Sequence, residues 1–356
     1  MALFGLFKKD NKEEKKGFFS IEIASVEKLT ADTVQVTLAV PTELSSTFKF
    51  IPGQYINVSV ELNGKEERRS YSICSGEDEA LSFAVKAIEN GKVSVFFNTV
   101  AKEGTKLFVS KPEGNFKLDQ AHKNVVAIAA GSGITPMLSI AKALRKSNGK
   151  MRLFYGNRMQ NSIIFHKQLA ELENVNASYF LTGEQADGFL QGRISKETFS
   201  EQIKADLDIL KADAFFICGP EQMIMDVSET LKFFGVAESK IHFELFTTPV
   251  LMQSETVVTS NFDGDSKVKI ILDSEVSEFK LNAKGKTVLE ALEAEGLDAP
   301  FSCRGGVCCS CRAKILKGTA TMKMNYTLTD EDIKKGYILT CQAHPSSEEL
   351  IVSFDE

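Results

Sequence analysis

The sequence predicts a multidomain chain: an antiparallel β-barrel, then an α/β domain with a doubly wound parallel sheet, then a smaller α+β domain. Three observations carry this. Residues 18–118 hold short alternating strands punctuated by turn signals, residues 119–246 alternate strand, glycine turn and helix, and residues 262–356 set a cysteine-rich loop among strands and a capped helix. At 356 residues the chain is too long for one ordinary core and suggests two or three domains.

The first 17 residues read as a tail. Met1–Phe7 is apolar but short, and the run KKDNKEEKKG follows it, whereas a secretory signal places its cations first. A hydrophobic fraction of 43% with 25% charged residues is that of a globular chain, and no apolar run approaches the ~20 residues of a membrane span. The net charge of −6 argues against a nucleic-acid partner. Seven cysteines, an odd and scattered set, argue against a disulfide framework and for a reducing, cytoplasmic setting.

In the barrel region, strand-like runs fall at 21–26, 34–40, 55–60, 69–73, 81–87 and 106–110, with turns at Pro52-Gly53 and Asn63-Gly64. Six short strands at this spacing suit a small closed barrel. Arg68-Arg69-Ser70-Tyr71-Ser72 offers a strand face to a flat aromatic ligand bearing phosphates. Arg69 forks onto phosphate, Tyr71 stacks, and Ser72 donates a hydrogen bond. Alone, such residues equally decorate an exposed face. Downstream, Lys86 and then Gly91-Lys92-Val93-Ser94, opening a helical run at 95–100, form a phosphate seat of free amides.

The α/β region opens with the buried-strand run Asn124–Ala130, the turn Gly131-Ser132-Gly133-Ile134-Thr135-Pro136 and a helix over 137–145. A glycine turn between a buried strand and a helix is a phosphate-binding arrangement, although the third glycine of the dinucleotide fingerprint is missing. Pro136 suits a first helical turn. The next strand, 151–155, ends at Gly156-Asn157-Arg158, where a cation meets a 2′-phosphate and so favours NADPH over NADH. The alternative is an ordinary surface arginine. A helix at 164–172, a strand at 177–181 and a glycine-rich loop at 188–192 with Arg193 follow, then a strand at 214–217, Cys218-Gly219-Pro220 and a helix over 221–234. Such repeats imply a parallel sheet with ligands at the carboxyl ends of its strands.

Residues 247–261 read as a semi-extended linker. Beyond it, strands at 268–272 and 278–281 lead to a helix capped by Thr287, with Glu290 completing the capping box and Gly296 ending it. The chain closes with a strand at 312–316, a helix at 330–335 and a strand at 350–354. Between the capped helix and the strand at 312–316 lie Cys303, Cys308 and Cys311, with Cys341 after twenty-nine intervening residues, the C-x4-C-x2-C…C spacing of [2Fe–2S] sites. Four reduced structural thiols or a zinc site are the alternatives. Zinc knuckles pair cysteines two and two at short spacing, which fits poorly. The four histidines, at 122, 166, 242 and 344, stand apart from any ligand-like partner and read as structural.

With these motifs assembled, Arg69–Ser72, Gly131–Pro136 and Cys218–Pro220 resemble the ferredoxin–NADP+ reductase family, and residues 262–356 resemble a plant-type [2Fe–2S] ferredoxin of β-grasp fold. The domain order resembles that of the reductases of multicomponent oxygenases, the phenylacetyl-CoA epoxidase reductases of phenylacetate degradation most closely. The resemblance implies roles. Arg69 would hold the FAD pyrophosphate with Gly91, Lys92, Val93 and Ser94 at the phosphates, Tyr71 would flank the isoalloxazine, and Ser72 would sit near its reactive nitrogen. Thr135 and Cys218 would border the nicotinamide, Arg158 and Arg193 would reach the adenosine phosphate, Glu244 would lie by the hydride path, and Phe246 would cover the flavin's other face. Cys309 would be a filler between ligands. The implied activity is electron transfer from NADPH (or NADH) through FAD to the cluster and on to an oxygenase component, with the reductase of another oxygenase or hydroxylase, or a redox-sensing iron–sulfur flavoprotein, as the alternatives.

Overall fold

The computed structural model describes residues 17–246 and 261–356; the expected tail up to residue 16 and the expected linker from 247 to 260 lie outside the described residues. Six strands, β1 (Phe18–Thr30), β2 (Thr33–Ala39), β3 (Tyr55–Leu62), β4 (Lys65–Ser72), β5 (Ser82–Lys86) and β6 (Lys106–Ser110), form an antiparallel sheet of order β4-β3-β6-β1-β2-β5. A bridge between Ile73 and Phe83 joins its two ends and closes the barrel. Asn63 and Gly64 both take positive φ, as a tight hairpin between β3 and β4 requires. That turn extends β4 back to Lys65, four residues before the expected start. Helix α1 (Lys92–Thr99) begins with Gly91 as its N-cap.

The second domain comprises β7 (Asn124–Ala130), α2 (Ile134–Lys146), β8 (Lys150–Asn157), α3 (His166–Ala170), β9 (Val175–Leu181), β10 (Leu190–Gln191), α4 (Lys196–Ala205), β11 (Ala214–Cys218), α5 (Glu221–Phe233) and β12 (Ile241–Glu244). All neighbours in the sheet β10-β9-β8-β7-β11-β12 run parallel. The winding reverses at β7, which leaves a crevice beyond its carboxyl end. The barrel and this domain share a core. Cys74, Ala84 and Phe116 pack in one apolar cluster with Ile134, Met137 and Phe216, and the Ser139 hydroxyl donates to the Ser75 carbonyl at 2.8 Å.

The third domain holds β13 (Asp265–Leu272), β14 (Glu275–Asn282), α6 (Val288–Ala294), β15 (Arg312–Lys317), β16 (Ala320–Met322), α7 (Asp330–Lys334), β17 (Tyr337–Leu339), β18 (Ala343–Pro345) and β19 (Glu349–Ser353). Its sheet runs β14-β13-β19-β15-β17, with β13 and β19 parallel and the other pairs antiparallel, while β16 and β18 make a small ribbon. Helix α6 lays Val288, Leu289 and Leu292 on a core with Val268, Ile270, Leu350 and Val352. Both halves of its capping box form: Glu290 accepts from the Thr287 amide at 2.8 Å and Thr287 accepts from the Glu290 amide at 3.2 Å. Among the described residues, no helix is long and apolar enough to cross a membrane.

Candidate active site

On the barrel, β4 turns alternate residues to opposite faces. Arg69 extends to Glu67 (3.2 Å), and Lys92 from the start of α1 reaches the same carboxylate at 2.5 Å. Two cations from separate elements thus converge beside the free amides of a helix start, a site suited to phosphate. Lys92 and Arg69 hold the Glu67 carboxyl below its ordinary value. In α1, Val93 is buried, and the Ser94 hydroxyl closes the turn by accepting from the Ile88 amide and donating to the Gly91 carbonyl. Lys86 pairs with Asp32 at 3.6 Å and not with this group. The Tyr71 ring stacks on Phe83 at 5.0 Å and meets Phe97 edge-on, on the strand face opposite Ser70 and Ser72.

In the nucleotide domain, Gly131, Ser132 and Gly133 make a single 3-10 turn that runs into α2, so Ile134, Thr135 and Pro136 form that helix's first turn. Thr135 donates to the Ser132 carbonyl at 3.0 Å, and the Tyr155 hydroxyl holds the Gly131 carbonyl at 2.9 Å. Gly133 lies against Cys218: a Cβ there would stand 2.6 Å from the Cys218 carbonyl carbon and closer still to its oxygen. Gly219 is likewise pressed on Ala130, and Pro220 caps α5. Register places Cys218 beside Ala129 of β7 on one side and Glu244 of β12 on the other. Arg158 follows the end of β8, where its carbonyl accepts from the Gly183 amide at 2.7 Å. Arg193 precedes Ile194, whose Cδ1 comes within 3.6 Å of a Cβ built on Gly156 of β8.

Glu244 crosses between the domains. Ser72 donates to its carboxylate at 3.2 Å. Burial pushes the Glu244 carboxyl up to about 8, against the pull of the Ser72 hydrogen bond. Burial, and then the nearness of Glu244, also push the Cys218 thiol well up. A protonatable carboxyl in a cleft is where proton traffic can be handled near neutral pH.

The four expected ligand thiols gather in the third domain. Cys303 contacts Cys308, and Cys311 contacts Cys341. Two pairs of thiols suit a group with two irons, each taking two of the four cysteines. The Cys308 thiol first, then the amides of Gly305, Val307 and Cys308, pull the Cys303 thiol down, while the same contact and burial push the Cys308 thiol up. Cys311, and then the Gly306 amide, likewise lower Cys341. Gly306 is required here: its φ is +74° and a Cβ would approach the Met324 carbonyl at 3.1 Å. Amides aimed at sulfur stabilise thiolate, so these residues fit an anionic iron–sulfur cluster. Burial pushes the Cys309 thiol up to about 11.

The three domains meet at one cavity of about 360 Å³. Arg69, Ser70 and Ser72 line it from the barrel, Glu244, Leu245 and Phe246 from the nucleotide domain, and Ser302, Cys303, Val307 and Cys308 from the cysteine loop. A neighbouring cleft of about 720 Å³, lined by Glu66–Arg69 and by residues of 293–304, shares Arg69, Ser302 and Cys303 with it. Together they offer a flat ring and its phosphate tail a continuous bed. Tyr55, Asn57, Ser302 and Ser310, all at this junction, escaped the sequence reading. The one available signal was the row of polar side chains Asn57 and Ser59 on strand positions that the barrel buries.

Comparison with known proteins agrees with this construction. Residues 20–118 match the oxidoreductase FAD-binding domain, residues 127–229 the oxidoreductase NAD-binding domain, and residues 271–346 the 2Fe-2S iron-sulfur cluster binding domain. The chain is therefore an NAD(P)H-dependent oxidoreductase that uses FAD and a [2Fe–2S] cluster. It is 37% identical to a subunit of the 1,2-phenylacetyl-CoA epoxidase of Escherichia coli (strain K12), over 95% of this chain and 98% of the relative. It is 31% identical to the ferredoxin reductase component of 3-ketosteroid-9-alpha-monooxygenase of Rhodococcus rhodochrous, over 94% and 96% of the two chains. Among solved structures, phthalate dioxygenase reductase aligns with a TM-score of 0.57 at 26% identity, over 95% of this chain and 98% of that one. The chain belongs to the family of oxygenase reductase components that includes this 1,2-phenylacetyl-CoA epoxidase protein.

Proposed function

We propose that this reductase draws electrons from NADPH and delivers them to the oxygenase component of a phenylacetyl-CoA epoxidase, in the cytoplasm. The observation that carries the electron path is the three-domain cavity, where Ser72, Glu244, Phe246 and Cys308 share one wall. The epoxidase assignment draws on the 37% identity that runs over nearly the whole chain. When bound, the flavin would accept one hydride, two electrons at once, and release them singly, which matches a two-electron donor to a one-electron cluster.

The residues then divide the work. Arg69, Lys92 and the Gly91–Ser94 helix start seat the flavin phosphates, which compete with Glu67 for the two cations. Phe246 covers the ring from the nucleotide side, while Tyr71, on the other face of β4 against Phe83 and Phe97, supports the strand from within the barrel and not the ring itself. Gly133, Thr135 and Cys218 bound the nicotinamide, while Arg158 and Arg193 reach the adenosine phosphate. Ser72 and Glu244 border the reacting atoms, and Glu244 can hold or pass a proton there. Cys303, Cys308, Cys311 and Cys341 hold the cluster.

Purified holoprotein tests this in two stages. NADPH should reduce ferricyanide, which takes electrons at the flavin, and cytochrome c through the cluster. The reductase should then support epoxidation of phenylacetyl-CoA by the isolated oxygenase component. Activity with a steroid monooxygenase component and none with the epoxidase would replace the second assignment and leave the first.

A further inference from the structure

A buried polar network joins the barrel to the cysteine loop. Asn57, on β3, is only 3% exposed. Its Oδ1 accepts from the Ser70 hydroxyl at 2.8 Å, and its Nδ2 donates to Ser310 at 3.1 Å and to Glu113 at 3.3 Å. Ser310 also meets the Tyr55 hydroxyl at 3.2 Å, and the Ser70 and Ser302 hydroxyls lie 2.7 Å apart. Ser302 immediately precedes Cys303, and Ser310 immediately precedes Cys311. The barrel therefore grips the three-cysteine run at both of its ends.

We infer that Asn57, with Tyr55 and Ser70, is a positioning residue that sets the cluster loop against the flavin cavity through Ser302 and Ser310. The inference rests on the proposed reading of that cavity as the flavin site. Its physical basis is directionality. Apolar contacts such as that of Val307 with Leu245 tolerate sliding, whereas hydrogen bonds hold distance and angle and leave a costly unpaired group when displaced. Arg68 braces the margin, bonding Asp298 at 2.8 Å with its guanidinium 4.8 Å from the Phe301 ring. Asn57 has no other evident reason to be an amide, since a buried strand position favours an apolar side chain.

The test uses the full holoprotein and its Asn57→Ala and Ser310→Ala variants. Ferricyanide reduction by NADPH is expected to stay within about twofold of the parent. Single-turnover bleaching of the cluster after flavin reduction should slow several-fold, because electron tunnelling falls off with the distance that this clasp holds. Hydrogen exchange over residues 298–312 should accelerate by a factor of roughly 5 to 30, as expected for one or two lost buried bonds. Asn57→Ala decides if Ser310→Ala assembles no cluster, because Asn57 lies outside the loop. Unchanged exchange and unchanged bleaching in Asn57→Ala overturn the inference. A parent protein that fails to reduce ferricyanide overturns the flavin reading instead, and the exchange comparison still decides the clasp.

Discussion

The contact between Gly133 and Cys218 makes a single methyl group a sharp probe of the proposed nicotinamide seat. The φ of Gly133 is −61°, which any L-residue adopts, so an alanine there meets no backbone strain. It meets a wall. The new Cβ would stand 2.6 Å from the Cys218 carbonyl carbon, 0.8 Å inside the 3.4 Å at which ordinary contact begins. The obstacle is backbone of β11, held between β7 and β12, so it cannot turn aside as a side chain would. The glycine turn must retreat by that distance or more. Overpacking of this kind costs about 1–3 kcal/mol, and a shift near 1 Å between reacting partners costs up to about a hundredfold in rate. Gly133→Ala should therefore lower kcat/KM for NADPH, with ferricyanide as acceptor, by roughly ten- to a hundredfold. Gly131→Ala is the comparison: a Cβ there meets nothing, but φ is +54°, so its cost is confined to about 1–2 kcal/mol of backbone strain. Stopped-flow reduction of the flavin against NADPH concentration reads the effect directly. A Gly133→Ala protein that reduces its flavin at the parental rate and affinity would refute the placement of the nicotinamide between this turn and Cys218.

Three further outcomes are expected. Cys308→Ala should abolish the [2Fe–2S] absorption and cytochrome c reduction while ferricyanide reduction persists; undiminished cytochrome c reduction would take the cluster off the route. Replacing Arg158 and Arg193 by alanine removes charge-assisted bonds of about 1.5–3 kcal/mol, so KM for NADPH should rise roughly ten- to a hundredfold and KM for NADH should hold, with an equal effect on both arguing against a 2′-phosphate contact. The folded Glu244 carboxyl binds its proton up to about 8 against an ordinary 4.5, so its contribution to stability is complete below 4.5 and lost as pH rises towards 8. Thermal melts of Glu244→Gln should accordingly fall less than the parent's across that interval, and parallel curves would show that Glu244 is not buried as described.

Local chemistry was legible wherever a residue type serves one local purpose. The Thr287–Glu290 box forms as read, Pro136 stands in a first helical turn, and the cysteine spacing brings four thiols together although Cys341 is far along the chain. Elements whose reason is tertiary were not legible. Helix α4 has a capping serine, Ser195, but only Phe199 and Ile203 are buried on it, too few for a periodic signal. Strand β12 is four residues long and becomes a strand only because β11 lies beside it. The facing of Tyr71 towards Phe83 depends on which side of β4 the barrel closes, which one strand's alternation cannot say.

The two domain junctions differ in kind, and the difference tracks the two transfers. Barrel and nucleotide domain share one continuous apolar cluster, in which Phe116 meets Phe216 at 5.1 Å and α2 is buried along Ile134–Ala141. Close packing of that density tolerates little displacement. Hydride transfer needs that rigidity, because the donor and acceptor atoms must nearly touch. The cysteine loop meets the barrel through hydroxyls and an amide, and its buried Val307 joins the apolar cluster of the nucleotide domain instead. Hydrogen bonds of this kind contribute little net free energy each, so the junction holds its geometry by direction and not by a large transfer free energy. It follows that mild denaturant should separate the two functions in order. Cytochrome c reduction should fail at a lower urea concentration than ferricyanide reduction, and coincident loss of both would mean that the polar junction is as firmly held as the apolar one.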